Sequence, residues 1–247
     1  MSMLSLANLY QLGVHRGNSK SKLNPKLKTK VHNFKNNLCM IDLVSTIDSI
    51  NTTKELFKKI GQKKKQILIV GTSSHLSDQV VEFSKLFGNG QMPYVNTRWL
   101  GGSLTNWMTI RKNLKILEKL ESMQSNPEFF AKLARNEQLS IARKIEKMGK
   151  FFNGLKLLKS NRPAAVLILD AANNSIAIKE SECVKIPVIA LTNTFIQTLP
   201  QNTDYTIVCN NNSTSAIDFI VKSLIESYNE GFATAVDAVA SPKLETK

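Results

Sequence analysis

Gln66-Ile67-Leu68-Ile69-Val70-Gly71-Thr72-Ser73-Ser74-His75 is the stretch that decides the fold. Four consecutive large apolar residues, three of them β-branched, run into a glycine and then three hydroxyl side chains. A strand with one wet face alternates apolar and polar residues. An unbroken apolar run suits a strand buried on both faces, as in a parallel sheet. The hydroxyl residues that follow suit a strand-to-helix turn, where they can cap free N–H groups. Working outward, Ala164–Asp170 and Pro187–Leu191 have the same form, Tyr205–Cys209 a weaker one and Pro93–Asn96 a shorter one. Helical patterns fill the intervals at about Leu43–Ile60, His75–Phe87, Ser175–Val184 and Ser213–Tyr228. This alternation predicts an α/β fold with helices on both faces of a parallel sheet.

The rhythm breaks between Trp107 and Leu158, where there is no strand signal. Trp107, Ile110, Leu114 and Leu117 repeat at helical spacing, as do Ile141, Ile145, Met148, Phe152 and Leu155. Ser125-Asn126-Pro127 between them is a natural turn. Two such seams predict an inserted antiparallel helical hairpin, or short coiled coil, over residues 107–158. Residues 1–106 and 159–232 then form the α/β body, and 233–247 a flexible tail. Met3, Leu6, Tyr10 and Val14 predict a short amphipathic helix near the N-terminus, with residues 1–7 otherwise loose.

The chain of 247 residues carries 33 Lys+Arg against 19 Asp+Glu, a formal charge of +14. Residues 1–41 hold seven cations and no acid, and residues 111–159 hold twelve cations and five acids. These two segments account for the whole excess. Lys and Arg concentrated in this way neutralise phosphates and release condensed counterions, which points to nucleic acid. A solvated basic face is the bland alternative. Neither segment combines its charge with exposed large apolar residues, so membrane attachment is not expected. The longest apolar run is too short to span a bilayer.

Three distant cysteines, Cys39, Cys183 and Cys209, make neither a disulfide framework nor a zinc motif. The histidines, His15, His32 and His75, lack metal-ligand spacing. No cation precedes Arg16, so a secretory or organellar presequence is not expected. The turn after Val70 lacks the further glycines of a dinucleotide fingerprint, with Ser73 and Leu76 standing where they would fall. Asp170 ends a strand, where α/β enzymes place functional carboxylates, yet a capping or loop-fixing role serves equally well. No catalytic constellation, cofactor or metal is expected. An enzyme built on Gly71 and Asp170, and a protein–protein adaptor acting through the hairpin, stay as alternatives.

Two motifs remain. Asn24-Pro25-Lys26 stands inside the acid-free segment, where proline stiffens the chain and lowers the entropy of ordering it on a phosphate surface. Arg98-Trp99-Leu100-Gly101-Gly102-Ser103-Leu104-Thr105-Asn106 leads into the hairpin. Arg98 can bridge phosphates, and Trp99 is either a stacking plane or a core plug.

Together with Leu12-Gly13-Val14-His15 and the stretch from Pro163 through Asp170 to Ile176–Glu180 and Ile186-Pro187-Val188, these motifs resemble the bacterial-type small-subunit ribosomal protein S2 family. The resemblance spans about residues 6–231. It implies a flavodoxin- or Rossmann-like sheet with an inserted hairpin, and a non-catalytic role as a monomer within the ribosome. It further implies contacts with small-subunit rRNA, neighbouring ribosomal proteins and, in bacteria, the large mRNA-recruiting ribosomal protein. Arg16-Gly17-Asn18 stand where the family has Phe-Gly-His, and Asn210-Asn211-Asn212 replace a late acidic loop. The expected rRNA contacts are His15, Arg16, Lys20, Lys22, Asn24, Lys26, Lys28 and Lys30 of the basic segment 10–37. Arg98, Trp99, Asn106, Arg111 and Lys112 at the hairpin base complete the set. Lys (27) and Asn (23) far exceed Arg (6), which fits an AT-rich bacterial or an organellar, such as mitochondrial, gene. The expected compartment is accordingly the bacterial cytoplasm or an organelle matrix.

Overall fold

The computed structural model describes residues 4–126, 130, 133–160, 162–201 and 203–240. The chain opens with α1 (Leu6–Gln11), then β1 (Arg16–Ser19), β2 (Val31–Lys35) and β3 (Leu38–Ile41). A long helix α2 (Leu43–Gln62) leads to β4 (Ile67–Val70), α3 (Ser77–Lys85) and β5 (Tyr94–Val95). Two further helices follow, α4 (Trp107–Ser125) and α5 (Arg135–Phe152). The chain continues through β6 (Ala165–Ile168), α6 (Ser175–Cys183), β7 (Val188–Thr192) and β8 (Thr206–Val208) to α7 (Thr214–Ala240).

The five apolar runs read from the sequence form one sheet in the order β5-β4-β6-β7-β8, and every pairing is parallel. All four residues of β4 are buried, as are those of β6. Alternate side chains serve opposite layers. Ile67, Ile69, Leu167, Ile189 and Ile207 pack with Ile50 and Phe57 of α2, Val80 of α3, and Ile217 and Leu224 of α7. Leu68, Val70, Val166, Ile168 and Val208 face α4, α5 and α6 through Ile110, Leu114, Leu117, Phe152 and Ile178. Double-sided burial is the physical reason these strands show no polar alternation.

On the first layer α2 and α7 cross very closely. A Cβ on Gly61 would stand 2.2 Å from the Tyr228 carbonyl oxygen, and one on Gly231 would stand 2.2 Å from that of Lys58. Only glycine allows the two backbones this approach. Tyr228 seals the crossing: its ring meets Phe87 edge-on at 5.0 Å, and its hydroxyl donates to the Lys65 carbonyl at 3.0 Å.

On the second layer α4 lies against the sheet through Leu117, which is fully buried. Beyond Leu117 its residues are half-buried or exposed. The first half of the insertion therefore shares the body's core. Lys156, just after α5, pairs with Glu121 of α4. The helix α4 ends at Ser125, and Pro127 lies outside the described residues.

One expectation needs correction. Residues 233–240 continue α7 instead of starting a tail, because alanine at 233, 235, 238 and 240 favours helix and neither Gly nor Pro breaks it; residues 241–247 lie outside the described set. The basic segment 10–37 carries regular structure of its own. Its strands β1 and β2 both pair antiparallel with β3, giving a small second sheet in the order β1-β3-β2. At the other end of this region Leu6 and Ala7 belong to α1, which Ser5 caps by accepting from the Asn8 N–H at 3.2 Å.

Candidate nucleic-acid interface

Between β1 and β2 the backbone makes two turns of 3-10 helix, Lys20–Lys22 and Pro25–Lys30. Asn24 starts the second turn, its side chain accepting from the Lys26 N–H at 2.9 Å. The same side chain donates to the Ile196 carbonyl at 2.7 Å, while the Asn24 N–H donates to the Thr194 carbonyl at 3.0 Å. Asn18 adds a third tie, its N–H donating to Thr194 Oγ1 at 2.9 Å. Leu27 is buried in the cluster that also contains Trp99. The segment is thus pinned on its apolar side to the loop after β7, and Lys20, Lys22, Lys26 and Lys28 are left exposed. Arg16 is exposed as well. Lys30 is half-buried and donates to Ser45 Oγ at 2.7 Å, and the Lys20 ammonium stands 5.1 Å from the Phe34 ring centroid. Asn24, expected as an RNA contact, has both ends of its amide engaged in holding this frame.

The loop from Arg98 to Asn106 is organised by a residue the sequence did not single out. Glu180 on α6 is buried, and its carboxylate accepts from the Trp99 indole N–H at 3.1 Å and the Gly102 N–H at 2.8 Å. It also accepts from the Leu104 N–H at 3.2 Å and the Thr105 hydroxyl at 3.3 Å. A buried carboxylate is tolerated only with such a set of donors. Trp99 is 7% exposed, so its ring is a core plug and offers no face for a base. Arg98, Asn106, Arg111 and Lys112 are exposed around this loop. Asn106 Oδ1 accepts from the Thr109 hydroxyl at 2.9 Å.

His15 is buried at 8% exposure, stacked on Tyr10 with centroids 4.2 Å apart and rings 9° from parallel. Its Nδ1 has no hydrogen-bond partner among the described residues. Burial, and secondarily the Arg16 charge, lower its pKa below the usual 6.5. His15 therefore packs as a neutral ring, and the exposed charge beside it is Arg16.

The strand order reverses direction between β4 and β6, the place where open α/β sheets bind ligands. There the Asp170 carboxylate accepts from Ser73 Oγ and Asn173 Nδ2, and from Asn211 Nδ2 at 3.2 Å. One side chain thereby ties the loops after β4, β6 and β8. A Cβ on Gly71 would come 2.6 Å from Val80 Cγ2, so this glycine serves the packing of α3 against the sheet. Gly71 and Asp170, the pair an enzyme would use, are both engaged in structure. Among the described residues, no group of three or more His, Cys, Asp or Glu side chains is placed to hold a metal ion. No described helix is long and apolar enough to cross a membrane.

Comparison with known proteins matches the family model "Ribosomal protein S2" over residues 9–231. The chain is 36% identical over 240 residues to small ribosomal subunit protein uS2 of Vibrio cholerae serotype O1, covering 97% of this chain and 96% of that one. The proteins of the same name from a Nitratiruptor species and from Helicobacter hepaticus are 34% and 33% identical over 229 residues. Those matches cover 93% of this chain and 83% and 84% of theirs.

Proposed function

Because this chain belongs to the ribosomal protein S2 family, we propose that it is a structural constituent of the small ribosomal subunit that binds rRNA through its N-terminal basic segment and the base of the helical insertion. The observation that carries the reading is the row of exposed lysines, Lys20, Lys22, Lys26 and Lys28, on a backbone pinned to the body through Asn18, Asn24 and Leu27. A pinned frame lowers the entropy lost when the lysines engage phosphates. Arg98, Arg111 and Lys112 extend the positive surface at the insertion base, and residues 111–159 add half of the chain's excess charge. The parallel sheet serves as the rigid platform beneath. Neighbouring ribosomal proteins, among them the large mRNA-recruiting protein where one exists, complete its surroundings.

A sucrose gradient of native lysate at two magnesium concentrations tests this. The protein is expected with whole ribosomes at high magnesium and with small subunits when magnesium is lowered. Protein at the top of both gradients would overturn the reading.

A further inference from the structure

A second basic site lies at the opposite edge of the sheet, where β4, β6 and β7 begin. A cavity of about 830 Å³ opens there, lined by Lys65, Lys159, Arg162 and Lys185 with Pro163 and Pro187, and no acid joins the lining. None of the four cations forms an ion pair among the described residues.

The walls are fixed. Gln66 Nε2 donates to the Leu157 carbonyl at 2.9 Å, and its Oε1 accepts from the Lys159 N–H at 3.0 Å. Lys185 closes α6 in the left-handed region at φ 60°, with its own N–H bonded to the Glu182 carbonyl and that of Ile186 to Ser181, both at 2.9 Å. Glycine fills such a closing position without strain, and here the sequence places a cation instead.

The rim has cations but few free backbone donors. Pro163 and Pro187 have no N–H, and the N–H groups of Ala164, Lys185 and Ile186 are already bonded. An extended peptide docks by pairing backbone groups, which this rim cannot supply. A phosphodiester needs only side-chain cations and donors, and the cavity has room for a nucleotide.

We propose that this edge binds the sugar–phosphate backbone of an unpaired RNA segment different from the one met by Lys20–Lys28, so that the body joins two RNA strands. The proposal rests on the chain being an RNA-binding ribosomal protein.

Cys183 supplies the test, because it lines the cavity and is exposed while Cys39 and Cys209 are buried. The full chain is alkylated with a neutral maleimide, with and without saturating single-stranded RNA of mixed sequence. The variants are Lys159→Gln/Arg162→Gln/Lys185→Gln and Lys20→Gln/Lys22→Gln/Lys26→Gln/Lys28→Gln, each checked for folding by circular dichroism. RNA should slow Cys183 alkylation severalfold in the native chain and in the lysine-row variant, but not in the edge variant. The salt slope of RNA binding should fall by about two in the edge variant, three phosphate contacts at roughly 0.7 each. Bound RNA with Cys183 reacting at its free rate would overturn the second site alone. Protection by polyglutamate but not by RNA would reassign the edge to an acidic protein. Absence of RNA binding in every form would overturn the reading of the protein as an rRNA binder.

Discussion

The Glu180 carboxylate holds the Trp99 indole N–H at 3.1 Å across 81 residues of chain. This one contact fixes the start of the loop that carries Arg98, because the same carboxylate collects the backbone of Gly102 and Leu104.

Replacing Glu180 with Ala leaves the Trp99 N–H and two backbone N–H groups in a dry site without an acceptor. Each unmet buried donor costs about 1–3 kcal/mol, and shared relaxation should bring the total loss to roughly 3 kcal/mol. Urea denaturation measures it, and a red-shifted tryptophan emission reports the loosened indole. An unchanged midpoint would show that the loop is held by other contacts.

The exposed lysines should separate from the residue that frames them. Converting Lys20, Lys22, Lys26 and Lys28 to Gln should flatten the log–log salt slope of RNA binding by about three, with little change in stability. Asn24→Ala should cost about 1 kcal/mol in folding and weaken RNA affinity while the slope stays near its original value. Filter binding over a salt series distinguishes the two behaviours, and equal slopes for all forms would refute the lysine contacts.

His15 imposes a sign on the pH dependence. Its folded pKa lies below the unfolded value, so the unfolded chain binds the proton more tightly. The stabilisation is complete above the usual 6.5 and is lost as pH falls below it and through the lower folded value. His15→Phe should therefore give a chain whose stability falls less on acidification over that window. Thermal unfolding at a series of pH values measures the difference, and parallel curves for both proteins would contradict the assignment.

A methyl group at the α2–α7 crossing tests the close approach. Gly231→Ala would drive a Cβ into the Lys58 carbonyl, and the helices must separate or bend. Such overpacking costs about 1–3 kcal/mol despite the better helix propensity of alanine. Calorimetry should show a lowered Tm; an unchanged or raised Tm would mean that the crossing relaxes freely.

Much of this architecture was legible in the sequence, and the losses have physical causes. Ile67–Val70 and Ala165–Ile168 announce themselves because burial on both faces admits only apolar residues. Arg16–Ser19 does not, because β1 is a polar strand whose pairing with β3 is a matter of backbone, with no apolar periodicity to mark it. Glu180 looks like any helical surface charge until the donors, 75 to 81 residues away, are brought to it. Trp99 was readable as either plug or platform, and only its neighbours decide. Tyr228 to Ala240 was divided too early, since Gly231 interrupts neither the helix nor its packing. The exposed lysines were correctly found as charges, but the ties through Asn18 and Asn24 that hold them in place are visible only in three dimensions.

Those ties also impose a timetable on synthesis. Asn24 leaves the ribosome that makes this chain 172 residues ahead of its partner Ile196, and Asn18 leaves 176 residues ahead of Thr194. Until then the lysine row is framed only by the local pairing of β1 and β2 with β3, and the nascent chain carries it without its ties to the body. The surface proposed to engage rRNA is completed only when β7 and its following loop have emerged, so a truncated product ending before Thr194 does not complete it.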